Sequence, residues 1–151
     1  MKIQIEIDSQ LSEDEFIIRC RKVDGKVQKI QEVVADIVKG QEKFVLYKGE
    51  KEYYLPLEQI LFFETTDSKI SAHTVDNVYL VKYRLYELEE ILPKNFIRIS
   101  KSTIMNLDHV YAINRNLTSA SIVEFNNTYK QVCVSRYYFR TLQEKMKEWR
   151  R

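Results

Sequence analysis

The apolar pattern changes period near residue 43, and this limits the folds open to the chain. Upstream, Val27, Ile30, Val34, Ile37 and Val38 recur at helical spacing between Lys26 and Lys39. Gly40 stands where such a helix would stop. From Lys43 onward the spacing is two, the repeat of a strand whose side chains alternate between faces. FVLYK (44–48) and EYYLPL (52–57) flank Gly49 and read as a hairpin. ILFFE (60–64) is a dense buried strand, and KISAHT (69–74) and VYLVKY (78–83) form a further hairpin across Asp76-Asn77. Leu85, Leu88, Ile91 and Leu92 return briefly to helical spacing and stop at Pro93. FIRIS (96–100), TIMNL (103–107), VYAIN (110–114), SIVEF (121–125) and YKQVCV (129–134) read as extended, the last two joined at Asn126-Asn127. Ser135 is placed to cap a final helix from about Tyr137, with a buried stripe of Phe139, Leu142, Met146 and Trp149.

Ahead of the first helix, Ile3, Ile5 and Ile7 alternate, and Phe16–Cys20 offers a second short extended run. The pattern predicts a β-β-α element over residues 1–42, followed by a mainly β domain over 43–151. An element of that size buries little surface alone, so it is expected to pack on the rest of the chain or on a partner.

Composition excludes several classes. Hydrophobic residues make up 44% and charged residues 30%, as in a folded domain. No apolar run reaches the roughly 20 residues of a membrane-spanning helix. The alternating, acid-bearing start is unlike a secretory leader. Cys20 and Cys133 form no metal or redox spacing and read as small buried hydrophobes in a reduced, cytoplasmic protein. His73 and His109 are the only histidines and neither has a ligand partner at metal spacing. Three scattered glycines, at 25, 40 and 49, build no phosphate loop. The adjacent acids Glu89-Glu90 and 13–15 read as a solvated face. No catalytic constellation appears, so an enzyme, a cofactor, a metal or a small-molecule substrate is not expected.

Charge is distributed unevenly. Residues 1–95 hold 14 Lys and Arg against 18 Asp and Glu; residues 96–151 hold 10 against 4. A basic second half on an acidic first half suits a polyanionic partner. Within it, polar and basic islands fall at strand–loop junctions: Asp67-Ser68-Lys69, Ser100-Lys101-Ser102 and Ser135-Arg136-Tyr137. Hydroxyls and backbone amides bind phosphate, and Lys and Arg bind phosphate or guanine edges. Solvated turns and a helix cap account for the same islands.

The stretches FIRISKSTIMNLDHVYAI and YKQVCVSRYYFRTL resemble the LytTR family of DNA-binding domains. The likeness rests on Phe96, Arg98, Ser100-Lys101-Ser102, the apolar run 103–105 ending at Asn106-Leu107, and Val134-Ser135-Arg136. ILFFE and LYELEEILP (85–93) are similar to the family's first core strand and middle helix, so the resemblance covers about residues 43–148. It implies an elongated antiparallel β-β-β domain with short helices, whose loops enter successive major grooves of double-stranded DNA. It further implies paired direct repeats, binding as a homodimer, and control of bacterial transcription. The contact residues so implied are Ser68, Lys69, Arg98, Ser100, Lys101, Ser102, Asn106, Arg115, Ser135, Arg136, Tyr137 and Arg140. Ser-Lys-Ser replaces the family's His-Arg-Ser. Lysine lacks the planar fork of arginine, so Lys101 suits phosphate and Arg136 suits guanine readout. Too few residues precede residue 43 for a receiver domain. That layout resembles stand-alone regulators restrained by a small membrane-protein inhibitor, with the lead segment serving dimerisation or inhibitor docking.

Two other readings stay open. One is a protein-interaction module whose basic face docks an acidic or membrane-protein partner without reading DNA. The other is binding of RNA or a single strand by stacking on Tyr47, Tyr53, Tyr54 and Tyr79.

Overall fold

The computed structural model describes residues 1–41 and 43–149. The chain divides into two compact units, Met1–Val33 and Val34–Arg151, each treated separately below.

In the first unit, residues 1–24 contribute turns and extended stretches but no strand. The two strands expected before the helix are therefore a correction. Alternation is present, but a strand also needs a neighbour to satisfy its backbone donors and acceptors. No ladder partner is supplied among the described residues, and Ile3, Ile5 and Ile7 are about nine-tenths exposed. Cys20 is exposed as well, contrary to its expected burial. The expected helix is present as α1, Gly25–Gln41, one residue beyond Gly40. Asp24 opens it by accepting the Val27 amide at 3.0 Å, as an N-cap carboxylate does.

The second unit contains two antiparallel sheets. Seven strands make the larger one: β1 (Lys43–Lys48), β2 (Lys51–Pro56), β3 (Phe62–Thr66), β4 (Lys69–His73), β5 (Val78–Val81), β6 (Phe96–Arg98) and β7 (Thr103–Asn106). Their order is β2-β1-β5-β4-β3-β7-β6. Three more, β8 (Val110–Asn114), β9 (Ser121–Phe125) and β10 (Gln131–Val134), form a second sheet in the order β10-β9-β8. The unit also holds the end of α1 from Val34, two short 3-10 turns, and two further α-helices, α2 (Leu85–Ile91) and α3 (Arg136–Trp149).

The larger sheet has apolar residues on both faces. On one, Phe63, Ala72, Tyr79, Phe96 and Ile104 pack under Leu85, Leu88 and Leu92 of the α2 segment. On the other, Phe62, Ile97 and Met105 meet Val123, Phe125 and Val132 of the small sheet and Leu142 of α3. Consecutive residues of β3, β6 and β7 thus serve opposite cores, as the pleat requires. This is why ILFFE reads as a continuous apolar run.

Local signals set the helix ends. Glu87 reaches back to the Arg84 amide at 3.0 Å to open α2. Leu92, preceding Pro93, turns extended and ends it. Ser135 caps α3 by accepting the Tyr138 amide at 3.4 Å. The buried stripe of α3 differs in part from expectation. Leu142 is fully buried and Tyr138, Phe139 and Met146 pack beside it, whereas Trp149 is exposed. Cys133 is exposed too, on the outward phase of β10.

Candidate nucleic-acid interface

The ladder registers bring the polar islands to one end of the unit. Thr66 pairs with Lys69, leaving Asp67 and Ser68 as a two-residue turn. Both have positive φ, 51° and 63°, the conformation of a type I′ hairpin turn. Glu64 pairs with Thr103 and Arg98 with Ile104, so the loop 99–102 emerges beside that turn. A backbone bond from the Thr65 amide to the Ser102 carbonyl, 2.8 Å, ties turn to loop. A second, from the Ser135 amide to the Ile99 carbonyl, 3.0 Å, ties the loop to the start of α3. Val134 pairs with Ser121 and Asn114 with Ile122, which puts the β8–β9 loop carrying Arg115 at the same end of the small sheet as Arg136.

The expected contact residues separate on inspection. Ser68, Lys69, Lys101, Ser102, Arg115, Arg136, Tyr137 and Arg140 are exposed at or near this end. Arg115 lies over the Phe139 ring, 5.1 Å from its centroid, so its guanidinium is steadied beside α3. Arg140 lies one turn into α3 with Glu144 at 3.7 Å, an exposed pair that holds it weakly. Tyr137 sets its ring edge-on to Tyr138. Ser135 is half-buried, its hydroxyl engaged as the cap.

Ser100 and Arg98 shape the loop. The Ser100 hydroxyl accepts the Ser102 amide at 3.2 Å. Arg98 is half-buried and directed inward. Its Nε donates to the Ser100 carbonyl at 2.7 Å, one terminal nitrogen meets the Lys101 carbonyl, and the other meets Glu89 Oε1 at 2.5 Å. Arg98 is thereby tied to the loop that carries Lys101 and to Glu89 rather than standing as a free cation.

Asn106 is a correction. It is fully buried, donates to the Ile60 carbonyl at 2.9 Å, and accepts from the Asn95 side chain at 2.9 Å and the Asp108 amide at 3.0 Å. Its amide closes a local network at the end of β7 and has no route to a ligand.

Sequence reasoning missed two cations at the same end, Lys82 and Arg84, both exposed. The signal was the Lys-Tyr-Arg run before α2, which looked like the tail of a strand. It also missed Glu89, whose carboxylate anchors Arg98.

The His73 ring stacks on Phe62 at 4.2 Å, with Glu64 Oε1 3.0 Å from Nε2. Lys130 Nζ lies 3.4 Å from Nδ1. Burial holds the His73 pKa below 6.5, Lys130 adds to that effect, and Glu64 partly opposes it. His109 Nε2 meets the Glu58 carbonyl. Among the described residues no group of three or more His, Cys, Asp or Glu side chains is placed to hold a metal. No described helix is long and apolar enough to cross a membrane.

The unit is thus an antiparallel scaffold with exposed cationic loops gathered at one end. Residues 50–147 match the LytTr DNA-binding domain family, and the chain belongs to that family. The family is a DNA-binding one and not a class of enzyme. A Staphylococcus aureus (strain NCTC 8325 / PS 47) protein described as an uncharacterized HTH-type transcriptional regulator is 28% identical over 149 residues, covering 97% of this chain and 98% of its own. A similarly described protein of Staphylococcus aureus strain MRSA252 is 33% identical over 106 residues, 70% of this chain and 71% of its own. The solved structure of a LytTr DNA-binding domain from Bacillus cereus superposes with a TM-score of 0.65 at 27% identity, covering 71% of this chain and 98% of that one. Those regulators carry the description HTH-type; here α2 and α3 are separated by five strands.

Proposed function

We propose that this protein regulates transcription by sequence-specific binding of double-stranded DNA, with its loops seated in the major groove. The observation that carries the reading is the junction of three loops. Backbone bonds from Thr65 to Ser102 and from Ser135 to Ile99 hold Lys69, Lys101 and Arg136 at one end of a stiff scaffold, with all three side chains exposed. Arg136 is the guanine reader, because a guanidinium pairs bidentately with O6 and N7. Lys69 and Lys101 grip phosphate as point charges. Ser68, Ser102 and Tyr137 supply hydroxyls beside them. Gel-shift titration against duplexes selected from a random library tests the reading. Preference for selected over scrambled duplex is expected; equal binding of both would end it.

In the same reading the protein binds paired direct repeats as a homodimer. The lead segment 1–42 is then an assembly element or the docking point of a membrane-protein inhibitor. Its exposed Ile3, Ile5 and Ile7 favour a partner over a solvated role. Deleting residues 1–42 is expected to abolish self-association, measured by light scattering, while DNA binding persists at high protein concentration. The single-strand reading is disfavoured, because Tyr79 is buried and faces Tyr53 at 5.0 Å in cross-strand packing.

A further inference from the structure

The cations Lys82 and Arg84 line a shallow groove together with Tyr47, Lys69, Arg98 and Lys101. The register explains their placement. Ile70 pairs with Val81, so the next positions outward, Lys69 and Lys82, lie side by side on β4 and just past β5. From Lys82 the row runs across β4 and β3 to the Ser102 carbonyl and Lys101. Three strand spacings of roughly 4.8 Å make the row about 14 Å long. Measured along the duplex axis, that is roughly four base-pair steps at 3.4 Å each.

Two further observations give this row a ligand. Among the described residues, Lys69, Lys82, Arg84 and Lys101 have no carboxylate partner. Of the nearby acids, Glu89 is committed to Arg98 and Glu87 to the Arg84 amide, while Asp67 stands exposed in the adjoining turn. Two cations at the opposite end are satisfied internally: Lys48 donates to the Asn77 side chain at 3.0 Å and Lys130 to the Asn77 carbonyl at 2.7 Å. In addition, Lys82 is not free to collapse onto solvent. Its ammonium sits 4.3 Å from the Tyr47 ring centroid, held over the groove by the ring's electron-rich face. An unpaired, pre-positioned row of positive charge suits a row of phosphates.

We propose that the β5–α2 junction, through Lys82 and Arg84, is a phosphate-binding track that extends the interface beyond the three loops and follows one strand of the duplex. The proposal rests on the DNA-binding reading above. It assigns the track a sequence-independent role: backbone contacts fix register and orientation while Arg136 carries the sequence preference.

The test compares Lys82→Gln/Arg84→Gln with Arg136→Ala in the full chain, using a duplex selected from a random library and its scrambled counterpart. Glutamine keeps the alkyl stems, and circular dichroism verifies folding. The double variant is expected to lose affinity for both duplexes by the same factor. Its plot of log K against log salt is expected to flatten by about 1.8, or 0.9 for each of two phosphates. Arg136→Ala is expected to lose preference for the selected duplex instead. An unchanged salt slope in the double variant, with Arg136→Ala still impaired, would overturn the track and leave the loop reading intact. A loss confined to the selected duplex would also overturn it, by making the junction a reader of bases. Competition by a single-stranded oligonucleotide that depends on Lys82 and Arg84 would overturn it in favour of an unpaired strand. If wild-type protein shows no preference and Arg136→Ala is silent, the loop reading fails and the track falls with it.

Discussion

Single side chains in this protein divide by where their polar atoms are used. Arg136 and Lys101 offer theirs outward. Arg136→Ala is expected to cost about 1–3 kcal/mol of specific affinity, the usual size of a bidentate base contact. Lys101→Ala is expected to weaken selected and scrambled duplexes alike, as titrations at several salt concentrations would reveal. Asn106 spends its amide inward. Asn106→Ala strands the Ile60 carbonyl and is expected to lower stability by about 1–3 kcal/mol in urea denaturation, with DNA affinity of the folded protein unchanged. His73 adds a pH dependence. Its folded pKa lies below the 6.5 of the unfolded chain, so the unfolded state binds more protons in that window. Stability is therefore complete above about pH 6.5 and is lost as pH falls through the folded value. His73→Gln is expected to flatten that slope in melting curves taken from pH 7.5 down to 5. The sequence distinguished these groups unevenly. The exposure of an Arg just after a strand, as at Arg136, is legible from its place at a strand–helix junction. Asn106 is not, because Asn before a turn looks the same whether its amide faces solvent or closes a network over a carbonyl 46 residues away.

At the scale of elements, the strands and α2 were legible because their signals are local: period-two alternation, Gly49, Asp76-Asn77, and Pro93 after a short apolar repeat. The two N-terminal strands failed because pairing is not local; Ile3, Ile5 and Ile7 specify a face but no neighbour. The α3 stripe was misplaced at Trp149 for a related reason. Helical spacing marks a face but not how far along the helix that face is covered, and Trp149 in the last turn is 46% exposed. The β3–β4 turn offers a direct check on the loop scaffold. Ser68 holds a left-handed backbone conformation that an L residue adopts at some cost. Ser68→Gly is expected to raise stability by about 0.5–1 kcal/mol, read from the denaturation midpoint. The loop 99–102 depends instead on Arg98. Arg98→Ala is expected to speed amide hydrogen exchange at Ser100–Ser102 and to reduce DNA affinity, although its guanidinium faces the loop.

For the molecule as a whole, charge asymmetry pointed to a polyanion, but the sequence did not show how the basic residues would converge. That depends on the Thr65–Ser102 and Ser135–Ile99 backbone bonds, which join segments dozens of residues apart. Phe63 and Phe62, adjacent on β3, sit in different cores, as do Phe96 and Ile97 and then Ile104 and Met105. The central strands are thus a party wall between two rooms. Neither room keeps its warmth if the wall is cut, so trimming this domain to a smaller DNA-reading fragment would leave a bare, sticky surface on whichever half was saved. The second unit is expected to melt in a single step, and its minimal working size is set by that shared wall.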